Sequence, residues 1–212
     1  MTNSFGAVYY VFGFVVTLWL VFVSVLARLQ GRACSRSTVF GLGAGVLVLS
    51  LLPLGGLPVW RWGLSIWPNP SVPFVGLICL ALWPRLGGSA WFAPSDRRAT
   101  WLFGAVAGTA LAVQTLSPVA IDLYGGGWEG ATAVGVTALL AVVSFARGNR
   151  FGALLLVAMI AWALGALESL NLWDYLVDPV YWLVSLGGGL RTWQTRGRAC
   201  RCSPPLTPIT PS

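Results

Sequence analysis

The chain has 212 residues, 57% of them hydrophobic and 9% charged, with a mean hydropathy of +0.78, more apolar than a soluble domain of this size needs to fill one core. Its formal charge of +7 rests on arginine alone, because lysine is absent, and so is histidine. These absences exclude imidazole-ligated haem, most zinc sites, His-based triads and lysine Schiff bases, and neither a cofactor nor a metal is expected.

The fold class expected is an all-α integral membrane protein, a polytopic bundle of about seven transmembrane helices. Crossing a hydrocarbon core about 30 Å thick takes about 20 apolar residues. Seven runs meet or approach that length, at residues 5–27, 39–57, 64–83, 99–121, 131–146, 151–167 and 172–190. The expected division is a single transmembrane domain over residues 1–198 and a disordered cytoplasmic tail over 199–212, where prolines alternate with Ser and Thr and little apolar surface is left to fold.

The first run extends for about 23 residues with no basic residue before Arg28, whereas a signal-peptide core has about 7–15 apolar residues behind a basic start. It reads as a retained first helix. The second run carries Gly41 and Gly45 four residues apart, a spacing that places two small residues on one helix face and permits close backbone approach. The fourth repeats it with Gly104, Gly108 and Ala112, the fifth with Ala131 and Gly135, and the sixth with Ala161 and Gly165. These four helices are expected to pack tightly, either with one another or against another subunit.

The third run opens on Trp67-Pro68-Asn69-Pro70-Ser71-Val72-Pro73, which cannot begin as a regular helix because each proline lacks an N–H and restricts the residue before it. Two readings stand open. One is a broken helix lining a polar pathway; the other, which the spacing favours, puts the prolines in an outer loop with a helix from Pro73 to about Leu86. In the fourth run Gln114 and Thr115 precede Ser117-Pro118, and Gln114 either caps a small polar site or bridges two helices. No Asp, Glu or Arg lies at the centre of any run, which argues against a proton-coupled pump or carrier.

The seventh run holds the densest polar group: Glu168, Asn171, Asp174, and Asp178 before Pro179. Asn171 with Asp174 three residues later has the spacing of a helix cap and capping box, and Asp178-Pro179 repeats the start signal. If the helix is continuous, Asn171, Asp174 and Asp178 share one face that suits a hard divalent cation or a cationic partner. The competing reading, which we weigh more heavily, is capping plus a solvated acidic edge.

Basic residues accumulate in cytoplasmic loops. Seven crossings with the N-terminus outside and the C-terminus cytoplasmic put twelve of the thirteen arginines inside and leave Arg61 outside. Dropping the third or seventh crossing breaks that sorting. Tryptophan favours the membrane interface. In this Trp-rich chain Trp60, Trp62, Trp67, Trp128 and Trp173 fall at outer boundaries and Trp83, Trp91, Trp101 and Trp193 at inner ones. Trp19, Trp162 and Trp182 lie deeper, where each indole N–H needs a partner or a wet cavity. Cys34, Cys200 and Cys202 fall on the reducing side, so no structural disulfide is expected.

No nucleophile, base or metal-ligand set emerges, so the chain is not expected to be an enzyme. An all-arginine inventory with 26 glycines suits a GC-rich bacterial genome. The expected function is a non-catalytic accessory subunit of a larger complex in the bacterial inner membrane, packing through Gly/Ala helix faces. The alternative is a small transporter, channel or substrate-capture component that uses the proline-broken third run. Partners are the lipid bilayer and other membrane subunits. Nucleic acid is not expected, because the arginines sit in short loops between apolar runs.

Overall fold

The computed structural model describes residues 4–116, 122–128 and 131–189. The expected tail, Cys200, Cys202 and Ser117-Pro118 fall outside the described residues. The fold is all-α: α1 (Ser4–Gln30), α2 (Arg36–Leu51), α3 (Val59–Ile66), α4 (Val72–Leu82), α5 (Pro94–Leu116), α6 (Ala131–Ala146), α7 (Phe151–Ala163), α8 (Leu172–Leu176) and α9 (residues 179–189). Among the described residues the only strands are the two-residue arms of a hairpin, Pro53–Leu54 and Leu57–Pro58, turned by Gly55 and Gly56 at positive φ. Two helices are long and apolar enough to cross a membrane, Gly6–Gln30 and Pro94–Leu116; four more, Arg36–Leu51, Val72–Leu86, Ala131–Ala146 and Phe151–Ala163, are apolar but shorter.

The third run divides as its prolines require. α3 ends at Ile66, residues 67–71 are non-helical, and α4 starts at Val72 with Pro73 in its first turn. A 3₁₀ turn, Trp83–Leu86, then carries α4 onward. The 64–83 run is therefore two helices rather than one, and the helix start near Pro73 agrees with the outer-loop reading. The seventh run also divides: α8 stops at Leu176, the chain is extended at Val177, and α9 restarts at Pro179. A continuous face uniting Asn171, Asp174 and Asp178 does not exist.

α4 forms the centre of the bundle. It is apolar on all sides, and Val72, Phe74, Val75, Leu77, Ile78 and Leu82 are buried against α1, α7 and α8. α1 and α2 form an antiparallel hairpin, as do α6 and α7. α9 lies along α5: a Cβ at Gly104 would stand 2.2 Å from Ser185 Oγ, and one at Gly108 2.5 Å from Trp182 Cδ1. The Tyr181 hydroxyl donates to the Thr100 carbonyl across the same contact.

The small-residue motifs thus meet different fates. Gly104 and Gly108 pack as the spacing predicts, and their partner is a helix of the same chain. Among the described residues, Gly41, Gly45 and Gly135 would have nothing within 4 Å of a Cβ. The residue that does pack in α2 is Gly43, where a Cβ would fall 2.6 Å from the Trp19 ring. In α6 the buried row is Ala133, Thr137 and Ala141 rather than Ala131 and Gly135. Gly165 is not on a helical face at all. It ends α7 at φ 63°, with its N–H bonded to Trp162 O and that of Ala166 to Ala161 O, the double bond of a Schellman stop. Four-residue spacing says that two residues share a face, but not which way the face points.

All three deep tryptophans find acceptors. Trp19 Nε1 donates to Val39 O at 2.7 Å, Trp162 Nε1 to Leu170 O at 2.8 Å and Trp182 Nε1 to Thr109 Oγ1 at 3.1 Å. Most of the described arginines gather at one set of helix ends, with the buried Asp96 among them. Arg28, Arg36, Arg85, Arg97, Arg147 and Arg150 lie at helix ends that meet one another, as Arg36 against Gly87 and Arg150 Nη1 on Trp91 O show. The opposite end gathers Tyr10, Asn69, Glu168, Asp174 and Asp178. Large apolar side chains remain exposed along the helices between these ends, among them Val8, Phe40, Leu102, Val106, Leu139 and Ile160.

Candidate functional site at the acidic end

The acidic end is organised by two side chains that cap helices. Asn171 is fully buried; its Oδ1 accepts the Trp173 N–H at 2.9 Å and its Nδ2 donates to Tyr124 O at 3.0 Å. It caps α8 as expected and also pins the 122–128 loop, whose Gly127 would place a Cβ 1.9 Å from Asn171 Oδ1. The expected capping box is not closed. The Asn171 N–H goes to Ser169 Oγ at 3.0 Å, and Asp174 instead receives the Tyr124 hydroxyl at 3.1 and 3.3 Å.

Asp178 departs furthest from its expected role. A solvated acidic edge was one reading, yet it is 4% exposed. Its Oδ1 accepts from Val180 N at 2.8 Å, Tyr181 N at 3.0 Å and Trp67 Nε1 at 2.9 Å, and its Oδ2 from Ser71 N at 2.8 Å. Two of these bonds cap α9, whose first residue is proline. The other two reach the proline-rich segment before α4. A carboxylate offers about four acceptor sites, so this one ties the break in the seventh run to the break in the third.

Gln114 does not bridge two helices. At the end of α5 its Nε2 donates to Asp122 Oδ1 at 2.7 Å and its Oε1 accepts Tyr124 N at 3.1 Å, which straps the following loop to α5. The bond from Gly125 N–H and then the one from Gln114 hold the Asp122 carboxyl below its usual range. A depressed carboxyl stabilises the folded loop above the ordinary carboxylate range and loses that contribution as pH falls through the lowered value. Desolvation, and then the neighbouring Asp174, push the Tyr124 phenol up to about 12. It therefore remains a donor to Asp174 throughout the physiological range.

Between α5, this loop, α8 and α9 lies a cleft of about 570 Å³. Its polar rim is Gln114, Thr115, Asp122, Tyr124, Asp174 and Asp178, and its apolar wall includes Leu111, Ala112, Val177 and Trp182. The cleft unites Gln114, Asp174 and Asp178 from the expected polar set. Asn171 lies beneath it as support, and Glu168, exposed on the loop after α7, is not among its lining residues. Asp122 and Tyr124 are functional candidates that the residue pattern did not single out; an Asp eight residues after a helix-end Gln was the available signal. Among the described residues no three His, Cys, Asp or Glu side chains gather to hold a metal ion. Comparisons with protein families, curated proteins and solved structures return no match.

Proposed function

We propose that the chain is a seven-span protein of the bacterial inner membrane, with its acidic end outward, whose outer cleft captures a small organic cation carrying an apolar part. The observation that supports this reading is the lining of the cleft: the carboxylates of Asp122 and Asp174 at the rim, that of Asp178 buried behind them, no basic residue among the described lining residues, and an apolar wall. A cation gains from the carboxylates, and its apolar part from burial against Leu111 and Trp182. The large apolar side chains exposed along the helices support the membrane reading, and so does the gathering of the described arginines, Arg61 apart, at one end, as the inward bias of basic residues would have it. No catalytic step is assigned to the cleft.

Detergent-purified protein titrated with hexylammonium is expected to gain several degrees in thermal midpoint, and hexanoate to give none. Asp174→Asn should remove most of the gain while leaving the unliganded midpoint close to wild type, because Asp174 caps no buried donor. Equal stabilisation by hexanol would mean that the wall alone binds, and the cation reading would fall.

Sidedness is read separately. Cys34, Cys200 and Cys202 in intact cells should resist a membrane-impermeant maleimide until the membrane is opened, whereas ready labelling of Cys200 and Cys202 in intact cells would remove the seven-span arrangement.

A second reading, an accessory subunit of a larger complex, is favoured by one observation: Gly41 and Gly45 lie on an exposed face of α2 with open space above them. Such a face admits a close-packed helix of another chain.

A further inference from the structure

A second cavity, of about 530 Å³, opens at the arginine end, remote from the cleft above. α1, α4, α5 and α9 wall it, and the Trp83–Leu86 turn with the loop after it lines its mouth. Its body is apolar, built from Leu20, Val21, Phe74, Leu77, Ile78 and Val184. Its mouth is basic and aromatic, with Arg85, Arg97, Trp91 and Trp101. A soluble anion would have no use for the body, and an uncharged tail would have no use for the mouth.

The mouth is a built feature. Arg150 donates to Trp91 O and lays its guanidinium 5.5 Å from the centre of the Trp91 ring, fixing the indole at the rim. Asp96, the neighbouring acid, is 2% exposed, and its two oxygens accept Ala93 N at 2.9 Å and Arg150 N at 3.3 Å. It is turned to backbone donors rather than to the arginines of the mouth. Arg85 uses one bond on Ala81 O, which leaves most of its five N–H donors for a ligand. Phe74 precedes Arg85 on the same helical segment by a length of roughly 16 Å, at about 1.5 Å per residue, which is the scale of an acyl chain.

We propose that this cavity holds an anionic phospholipid, one acyl chain along α4 and the phosphate against Arg85 and Arg97. Arginine forks match phosphate oxygens with paired charge-assisted bonds, and basic pockets between helices on the cytoplasmic side are the recurrent place for anionic headgroups. The assignment rests on the membrane reading above, though not on which leaflet the arginine end meets.

The test uses the full chain in a mild uncharged detergent. Phosphatidylglycerol is expected to raise the thermal midpoint by several degrees and to stay bound in native mass spectrometry, with phosphatidylcholine and inorganic phosphate each giving far less. The double variant Arg85→Gln, Arg97→Gln should weaken phosphatidylglycerol binding about tenfold or more, the loss of one or two charge-assisted contacts, with an unchanged circular dichroism spectrum. Arg61→Gln, at the opposite end, should bind as wild type. Equal binding of phosphatidylcholine, full competition by inorganic phosphate, or a double variant that binds unimpaired would each overturn the proposal. Binding in micelles does not depend on sidedness, so a failed maleimide experiment with intact lipid binding would indict the topology and not this site.

Discussion

Replacing Gly104 and Gly108 together with leucine is expected to separate α9 from α5 and to lower the thermal midpoint of the detergent-solubilised protein by well over 5 °C. A Cβ alone would fall 2.2 Å from Ser185 Oγ and 2.7 Å from Tyr181 Cζ at the first position, and 2.5 to 2.7 Å from three Trp182 atoms at the second. The two rings are not free to yield. The Tyr181 hydroxyl is bonded to Thr100 O, and the Trp182 indole to Thr109 Oγ1. Overpacking typically costs about 1–3 kcal/mol per site, and two sites on one contact act in the same direction. The matched control is Gly41→Leu with Gly45→Leu, where open space predicts a midpoint within about 2 °C of wild type. If the Gly104/Gly108 variant melts with the wild type, α5 and α9 do not meet as described. If the α2 variant stays folded but loses a co-purifying partner, the accessory-subunit reading gains over ligand capture.

The same four glycines show how far the sequence could be read. Spacing identified Gly104 and Gly108 as a packing face because close contacts need small residues at four-residue intervals wherever they occur. It gave equal weight to Gly41 and Gly45, which the fold turns outward, and it passed over Gly43, whose neighbour Trp19 lies on another helix, 24 positions earlier in the chain. Orientation is set by tertiary packing, and a lone glycine carries no periodic signal. Helix starts were more legible, because caps and prolines act locally: Asn171, Pro179 and Pro73 all lie at or just inside the starts of helices. The acidic end was legible as composition and illegible as geometry. Asp174 and Asp178 could be seen as acids near helix starts, but the donors that bury Asp178 come from Trp67 and Ser71, more than a hundred residues earlier. The cleft is equally non-local, since it needs Gln114 from one run, Tyr124 from a loop and Asp174 from another run.

That long-range tie makes Asp178 the residue whose loss should disturb the bundle most among its polar groups. Asp178→Ala strands the Trp67 indole N–H and the Ser71 amide, and removes the cap from Val180 and Tyr181. The two cap amides are at a helix start, where water can replace part of the loss. The Ser71 amide belongs to a fully buried residue, where water does not replace the bond. An orphaned buried donor costs about 1–3 kcal/mol, and a lost cap about 1 kcal/mol, so a loss on the order of 3 kcal/mol is expected. Asp178→Asn separates charge from geometry. Its Oδ1 can still cap α9, but an amide NH₂ in the Oδ2 position would confront the Ser71 N–H donor to donor, so this variant should recover the helix cap and not the tie to α4. Hydrogen exchange read peptide by peptide distinguishes the two effects: faster exchange at residues 67–75 in both variants, and at residues 179–183 in the alanine variant alone. If the asparagine variant protects residues 67–75 as well as wild type does, the carboxylate is not what joins the two broken runs.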